Sequence, residues 1–253
     1  MSEYQYLILE REGAVARIRL NRPEVHNALS PQLVSELNAA VYDVSIHPEI
    51  KVLIVSGVGK SFSAGVDLQA LSEGIKGGLF EANQILDDGN DLINTLQSMP
   101  QVTIAQVHGH CYTGATEFML AFDLIYCADN ANIGDTHTKW GILPKWGMSQ
   151  RLSRQVGMRK AMELSFTAKP VKGTEAARIG LVNQAFPAEE LEASINGIAE
   201  QICSNSAQTI AAMKTLYYEG WRNTLNHGIQ YEAEFQTAIT DREEFLRNFK
   251  KNK

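Results

Sequence analysis

Apolar and polar residues alternate in two short segments near the start of the chain, and a helical pattern follows them. The segments YLILERE and VARIRLNR are separated by Gly13, an arrangement typical of a β-hairpin. Ser30 and Pro31 then precede a run with apolar residues at helical spacing, since serine suits an N-cap and proline the first helical turn. Pro48 ends this run. The first fifty residues therefore predict strand, strand and helix.

Three continuous apolar runs come next, and each leads into a turn that contains glycine. They are IKVLIVSG at 50–57, VTIAQVHG at 102–109 and DLIYCA at 123–128. Such runs are typical of strands buried on both faces of a parallel sheet. Together with the intervening helical patterns they predict a layered α/β fold. Because the later periodicity is helical, we predict a core at 1–195 and a helical C-terminal region at 196–253.

Composition restricts the possible classes of function only broadly. The chain is 44% hydrophobic and 21% charged, as in ordinary globular proteins. Its net charge of −6 gives no general attraction to nucleic acid or anionic membranes, so we predict neither as a partner. The three cysteines and six histidines lack metal-ligand spacing. We expect no metal, no membrane span and a cytoplasmic location with reduced thiols.

Small residues occupy two predicted strand-to-helix turns. They are Ser-Ala-Gly at 63–65, after the first buried run, and Thr-Gly-Ala at 113–115, after the second. The N-terminus of a helix leaves backbone N–H groups unsatisfied, and small side chains let a ligand oxygen approach them. Two such groups aimed at one oxygen form an oxyanion hole. The pattern alone is compatible with either an oxyanion hole or two plain turns.

Four longer segments resemble, in order and spacing, the enoyl-CoA hydratase/isomerase (crotonase) family. They are LNRPEVHNALS, KSFSAGVDLQAL, VHGHCYTGATEFMLAFDLIYCADNANIG and the stretch from GILPKWG to VNQAFP. The resemblance covers nearly the whole chain. It implies a spiral of ββα units with a C-terminal helical region that mediates oligomerisation, as a homotrimer or homohexamer. It also implies an acyl-CoA substrate, with coenzyme A entering as part of that substrate and no separate cofactor.

The resemblance also implies roles for individual residues. The backbone N–H groups of Val66 and Gly114 would bind the thioester oxygen, and Glu117 would be a catalytic acid/base group. The expected substrate-binding residues are Glu24, Val25, His26, Ala64, Asp67, Leu68, Trp140 and Trp146. For the two tryptophans, core packing is the alternative interpretation. The basic tail at 249–253 is interpreted as a solvated end, with contact to a CoA phosphate as the alternative.

One position departs from the family pattern. After ANIG, where a hydratase of this family places its second catalytic glutamate, this chain has His137. An imidazole with a pKa near neutrality donates and accepts protons, so His137 and Glu117 together are candidates to activate water. A loop histidine bonded to the backbone is the alternative. Asp135 is the nearest other carboxylate, and we expect its side chain to point elsewhere.

These residues predict a hydratase or dehydratase that acts on an acyl-CoA thioester, in fatty acid metabolism, through an enolate held in the oxyanion hole. Three alternatives stay open from the sequence. They are an enoyl-CoA isomerase that uses Glu117 alone, a CoA-independent β-diketone hydrolase that uses His137, and a catalytically weak acyl-CoA-binding subunit. The hydrolase would also need an acid near Trp146, which the sequence does not supply.

Overall fold

The computed structural model describes residues 4–70, 72 and 79–251, and its secondary structure is mixed α/β. The strands are β1 (Leu7–Glu12), β2 (Val15–Leu20), β3 (Val52–Gly57), β4 (Val102–Val107), β5 (His110–Tyr112), β6 (Leu124–Ala128), β7 (Asn132–Gly134), β8 (Val171–Lys172) and β9 (Gln184–Phe186). The helices are α1 (Pro31–Ser45), α2 (Leu79–Ser98), α3 (Gly114–Met119), α4 (His137–Trp140), α5 (Met148–Val156), α6 (Met158–Thr167), α7 (Gly173–Arg178), α8 (Leu191–Cys203), α9 (Ala207–Arg222), α10 (Leu225–Glu234) and α11 (Arg242–Lys251). A 3-10 turn spans Pro23–Val25.

The strands form one six-stranded and one three-stranded sheet. The larger sheet has the order β1-β2-β3-β4-β6-β9, and the smaller has the order β5-β7-β8. Strands β1 and β2 pair antiparallel across Gly13, whose φ of +56° glycine adopts without strain. From β2 onward the neighbours in the larger sheet are parallel. The predicted hairpin and buried strands are confirmed, because all six residues of β4 are buried.

Helix α1 begins where the sequence predicts. The Ser30 hydroxyl accepts the N–H of Leu33 at 3.2 Å, and Pro31 occupies the first turn. The buried face of α1 carries Leu37 and Val41, and this helix packs against α2. Helices α1 and α2 both contribute buried apolar residues to the core that the larger sheet shares.

The described chain after β9 is helical, as predicted. Lys214 of α9 is buried and joins this region to the core, since its ammonium lies 2.8 Å from a carboxylate oxygen of Asp123. Helix α8 runs across residues 195 and 196, and the division of the chain there stays a prediction. The side chains at 248–253 lie outside the described residues, so the role of the basic tail also stays a prediction. Within the described segments, no helix is both long and apolar enough to cross a membrane.

Candidate active site

Two turns meet backbone to backbone and bring Val66 and Gly114 close together at the edge of a cavity. Isolated parallel bridges join Leu29 to Val66 and Ser63 to Cys111. A Cβ added to Gly65 would lie 2.7 Å from the carbonyl oxygen of Tyr112 and 3.5 Å from the nitrogen of Gly114. This close approach explains why Gly65, with φ +101°, has to be glycine.

The amides of Val66 and Gly114 are available to a ligand. Leu29 N donates to Gly65 O at 2.8 Å, and Asp67 N donates to Leu29 O at 3.0 Å. Because these flanking groups bond Leu29, the N–H of Val66 points the other way, toward the cavity that Val66 lines. Within the described part of the chain, neither amide has a protein acceptor. The pair therefore has the donor arrangement of an oxyanion hole.

Backbone strain lies directly before this hole. Thr113 has φ 52° and ψ −117°, and a β-branched residue at positive φ is strained. Such strain costs of order 1–3 kcal/mol and persists only where the surroundings enforce it. Here Thr113 N donates to Gly134 O at 3.0 Å, and the Thr113 hydroxyl contacts that of Thr136. These contacts fix the peptide that carries the Gly114 amide.

Glu117 lies in the first turn of α3, three residues after that amide. Its carboxylate is 2% exposed, and Oε1 accepts the backbone N–H groups of Trp146 at 2.8 Å and Met148 at 3.0 Å. Oε2 faces His137 Nε2 at 3.3 Å. One oxygen is therefore held by the protein, while the other lies beside an imidazole at the cavity wall.

His137 begins α4 and is bonded to a carboxylate on each side. Its Nδ1 lies 2.6 Å from Asp135 Oδ1, and its backbone N–H donates to the same oxygen at 3.1 Å. Burial alone would lower the pKa of the His137 imidazole, but its hydrogen bonds to Asp135 and Glu117 raise that pKa to about 9. The alternative of a loop histidine bonded to the backbone is wrong.

The expectation that Asp135 points elsewhere is also wrong. The backbone turns at Thr136, with φ −110° and ψ 15°, and an aspartate at such a turn readily accepts the N–H two residues on. Its other oxygen, Oδ2, accepts the hydroxyl of Ser165 at 2.6 Å. Burial would raise the pKa of Asp135, but the hydrogen bonds from His137 and Ser165 hold it below its usual value.

These groups line a cavity of about 510 Å³, a volume typical of a small-molecule site. The sequence-predicted residues that line it are Ala64, Val66, Leu68, Glu117, His137, Trp140 and Trp146. Trp140 is 56% exposed at the mouth of the cavity, whereas Trp146 is 3% exposed. The structure thus brings the side chains of both predicted catalytic residues, Glu117 and His137, to one cavity. The side chain of Val66, whose amide is one of the two predicted oxyanion donors, lines the same cavity.

Four predicted substrate-binding residues do not line this cavity, and neither does Gly114, although Thr113 directly before it does. Glu24 and Val25 lie exposed in the 3-10 turn. The carbonyl oxygen of His26 accepts the N–H of Ala64 at 2.9 Å, and so supports the oxyanion turn from outside. Asp67 binds Arg22, with Nη1 and Oδ2 3.1 Å apart. A role for these four residues in binding CoA stays a prediction.

Trp146 both packs in the core and shapes the cavity. Its indole Nε1 donates to the carbonyl oxygen of Leu86 at 3.1 Å. The ring lies flat against α2 at Gly89, where an added Cβ would fall 2.2 Å from the indole. Sequence reasoning missed this contact, although a glycine inside a long helical pattern was a usable signal. Ser165 carried no comparable signal.

The fold and the site together define an α/β protein with an oxyanion hole that faces a buried carboxylate–imidazole pair. The family model for enoyl-CoA hydratase/isomerase matches residues 10–251. A short-chain-enoyl-CoA hydratase of Clostridium acetobutylicum is 33% identical over 238 residues, which cover 92% of this chain and 88% of the relative. The chain belongs to the enoyl-CoA hydratase/isomerase family.

Solved structures agree with this assignment. An enoyl-CoA hydratase from Bacillus anthracis superposes with a TM-score of 0.90 at 30% identity, over 98% of this chain and 97% of that one. A Thermobifida fusca protein in complex with acetoacetyl-CoA superposes with a TM-score of 0.80 at 25% identity, over 90% and 92% of the two chains. The predicted crotonase-type fold is therefore confirmed.

Proposed function

We propose that this protein is a lyase that adds water across the double bond of a 2-enoyl-CoA thioester, and that it also catalyses the reverse dehydration. The observation that carries the proposal is the 3.3 Å contact between Glu117 Oε2 and His137 Nε2 at the wall of a cavity that Val66 and Thr113 also line, beside the amides of Val66 and Gly114, which are unpaired within the described chain. Hydratase names among the relatives and an acyl-CoA complex among the similar structures support it.

The first part of the mechanism is stabilisation of an enolate. The thioester carbonyl oxygen accepts the N–H groups of Val66 and Gly114. When the oxygen of water bonds to C3, the electrons of the C2–C3 double bond move toward that carbonyl oxygen. The two amides then face a developing negative charge, and fixed donors of this kind lower a barrier by several kcal/mol. The strained peptide before Gly114 keeps one donor in place before substrate arrives.

The second part is the movement of two protons. As water attacks C3, its proton passes to Glu117 Oε2. C2 of the enolate then takes a proton from His137 Nε2, because the hydrogen bonds to Asp135 and Glu117 outweigh the effect of burial and raise the pKa of this ring to about 9, which makes it an imidazolium at neutral pH. The contact between the two groups finally returns the proton from Glu117 to His137. The net change is addition of one water, and both side chains regain their starting state.

The alternatives have less support. An isomerase moves one proton between carbons and needs only Glu117, which leaves the buried His137–Asp135 pair without a task. A β-diketone hydrolase needs an acid at Trp146, but both N–H groups of that residue are already bonded, to Glu117 and to Leu86. A weak binder does not require a buried acid/base pair at all.

Crotonyl-CoA and a 3-enoyl-CoA distinguish these functions when they are given separately to the wild type and to His137→Gln. The proposal predicts loss of the conjugated thioester absorbance with crotonyl-CoA, and a fall on the order of 10²–10⁴-fold in kcat for His137→Gln, because one proton donor is removed. An isomerase would instead leave crotonyl-CoA unchanged, convert the 3-enoyl-CoA to a conjugated product and tolerate His137→Gln.

We further propose that the protein works as a homotrimer or homohexamer, in fatty acid metabolism in the cytoplasm, with coenzyme A supplied only by the substrate. Large apolar side chains on the C-terminal helices support the assembly, since Tyr217 is 71% and Leu225 77% exposed in the single chain. Analytical ultracentrifugation tests the assembly. A monomer at micromolar concentration would contradict it.

A further inference from the structure

We infer that Asp135, supported by Ser165, is the positioning residue of this site: it fixes the ring of His137 and keeps the proton on Nδ1, so that only Nε2 addresses Glu117 and the substrate. The inference rests on the proposed function for its catalytic meaning. Its structural part, the state of the His137 ring, is measurable without any substrate.

The contacts define the orientation of the ring completely. Asp135 Oδ1 accepts both the Nδ1–H and the backbone N–H of His137, at 2.6 and 3.1 Å. Asp135 Oδ2 accepts the Ser165 hydroxyl at 2.6 Å. Ser165 belongs to α6, and its carbonyl oxygen accepts the hydroxyl of Thr138 at 2.7 Å. Helices α4 and α6 are thus joined through the same residues that hold the imidazole.

The electrostatic surroundings favour a charged ring. The side chains of His137, Asp135 and Glu117 are each at most 6% exposed, so solvent screens their interactions only weakly. The negative groups that face the ring are Glu117 from α3 and Asp135 from its own segment. Two cations, Lys139 and Lys145, line the same cavity from exposed positions. From α6 the described contact to this cluster is the neutral hydroxyl of Ser165.

Asp135 is not the group that exchanges protons with the substrate. It does not line the cavity, whereas Glu117 and His137 do. Both of its oxygens are engaged by protein donors, three bonds in all. A carboxylate in that position acts through the imidazole, because it selects the tautomer and stabilises the charge that forms on the ring. Its loss should therefore lower kcat more than it raises KM.

The test is a pH titration of His137 by NMR on protein labelled at its histidine side chains. The His137 signal is assigned by its disappearance in His137→Gln. In the wild type we expect a midpoint at about pH 9. In Asp135→Asn the midpoint should fall by about one unit or more, since the ring loses its closest negative partner. In Ser165→Ala, which keeps the carboxylate, the fall should be smaller.

Activity supplies a second readout. In Asp135→Asn kcat should fall on the order of 10²-fold, with KM within about threefold of the wild-type value. The high-pH limb of its kcat profile should move to lower pH. Asp43→Asn is the matched control, because Asp43 also lies beside a histidine, with Oδ1 3.6 Å from His47 Nδ1, but on an exposed face of α1. This variant should leave both readouts unchanged.

The outcomes separate this inference from the proposed function. A His137 midpoint that stays unchanged in folded Asp135→Asn overturns the inference whatever the enzyme does with substrate. If Asp135→Asn does not fold, an unchanged midpoint in Ser165→Ala overturns it. A wild-type protein that shows the predicted titration but hydrates no enoyl-CoA leaves the ring's positioning intact and contradicts the proposed function alone.

Discussion

Adding one methyl group at Gly114 should disable the oxyanion hole without disturbing the rest of the fold. Gly114 is the first residue of α3 and does not have a positive φ, so alanine is compatible with its backbone. The obstacle is space. A Cβ at this position would lie 2.7 Å from Val66 Cγ2 and 3.1 Å from the Trp146 ring.

The size of the effect follows from these distances. Ordinary contacts begin at 3.4 Å, so the new methyl group and Val66 Cγ2, 2.7 Å apart, have to separate by about 0.7 Å. Val66 and Gly114 carry the two amides, and the peptide of Trp146 holds Glu117. Loss of one oxyanion donor costs roughly 10²–10³-fold in kcat, and a 1 Å misplacement has a cost of similar size. We therefore expect kcat of Gly114→Ala to fall about 10²–10³-fold.

The assay is the decrease in conjugated thioester absorbance with crotonyl-CoA, which gives kcat and KM separately. KM should change little, because the oxyanion donors act mainly on the charge that develops in the transition state. Gly197→Ala in α8 is the control, since nothing lies within 4 Å of an added Cβ there. A folded Gly114→Ala variant that keeps kcat within about threefold of the wild-type value would show that the Gly114 amide is not an oxyanion donor.

Three further predictions concern stability and packing. The folded-state pKa of His137, about 9, lies above the ordinary value of 6.5 for a histidine, so its contribution to stability is complete below pH 6.5 and is lost as pH rises to 9. The unfolding free energy of the wild type, measured in urea relative to His137→Gln, should thus fall by about 3 kcal/mol over that window. If the unfolding free energies of the two proteins change with pH in parallel, the prediction is wrong. Gly89→Ala should destabilise the fold by about 1–3 kcal/mol and lower kcat, because the methyl group displaces the Trp146 ring. A Gly89→Ala variant with the melting temperature and kcat of the wild type would show that the ring is not fixed by this contact. Gly197→Ala should raise the unfolding free energy by about 0.5–1 kcal/mol, as expected for alanine in place of a helical glycine, and a decrease in urea denaturation would contradict it.

Local patterns in the sequence predict most of the elements correctly. The hairpin at Gly13, the Ser30 cap and the buried β3 and β4 strands follow from rules that act over a few residues, namely turn conformation, capping and hydrophobic period. The oxyanion turns could also be located in this way, because small residues at a strand-to-helix turn are visible in the sequence. That both turns approach the same cavity depends on the parallel bridges at Val66 and Ser63, which no local pattern encodes.

The contacts that orient the catalytic groups could not be predicted from spacing. Ser165 lies 30 residues from Asp135, and Trp146 lies 29 residues from Glu117. Such pairs meet only after the helices α3, α5 and α6 have packed, and the apolar periodicity that drives packing does not specify polar partners. The Asp135–His137 contact is different, since it is local. It was missed because the two side chains were expected to diverge, although an aspartate often accepts the backbone N–H two residues on and so turns the chain back toward itself.

Mass spectrometry of crotonyl-CoA after incubation with the wild type in ¹⁸O-labelled water shows directly whether the protein adds water at C3. We predict a product heavier than the substrate by one molecule of labelled water, with the label in a hydroxyl group on C3. Glu117→Gln, which keeps the shape of the side chain but removes the base, should form this product at a rate lower by roughly 10²–10⁴-fold. A wild-type enzyme that leaves crotonyl-CoA without the added water, or a Glu117→Gln variant that labels it at the wild-type rate, would contradict the account.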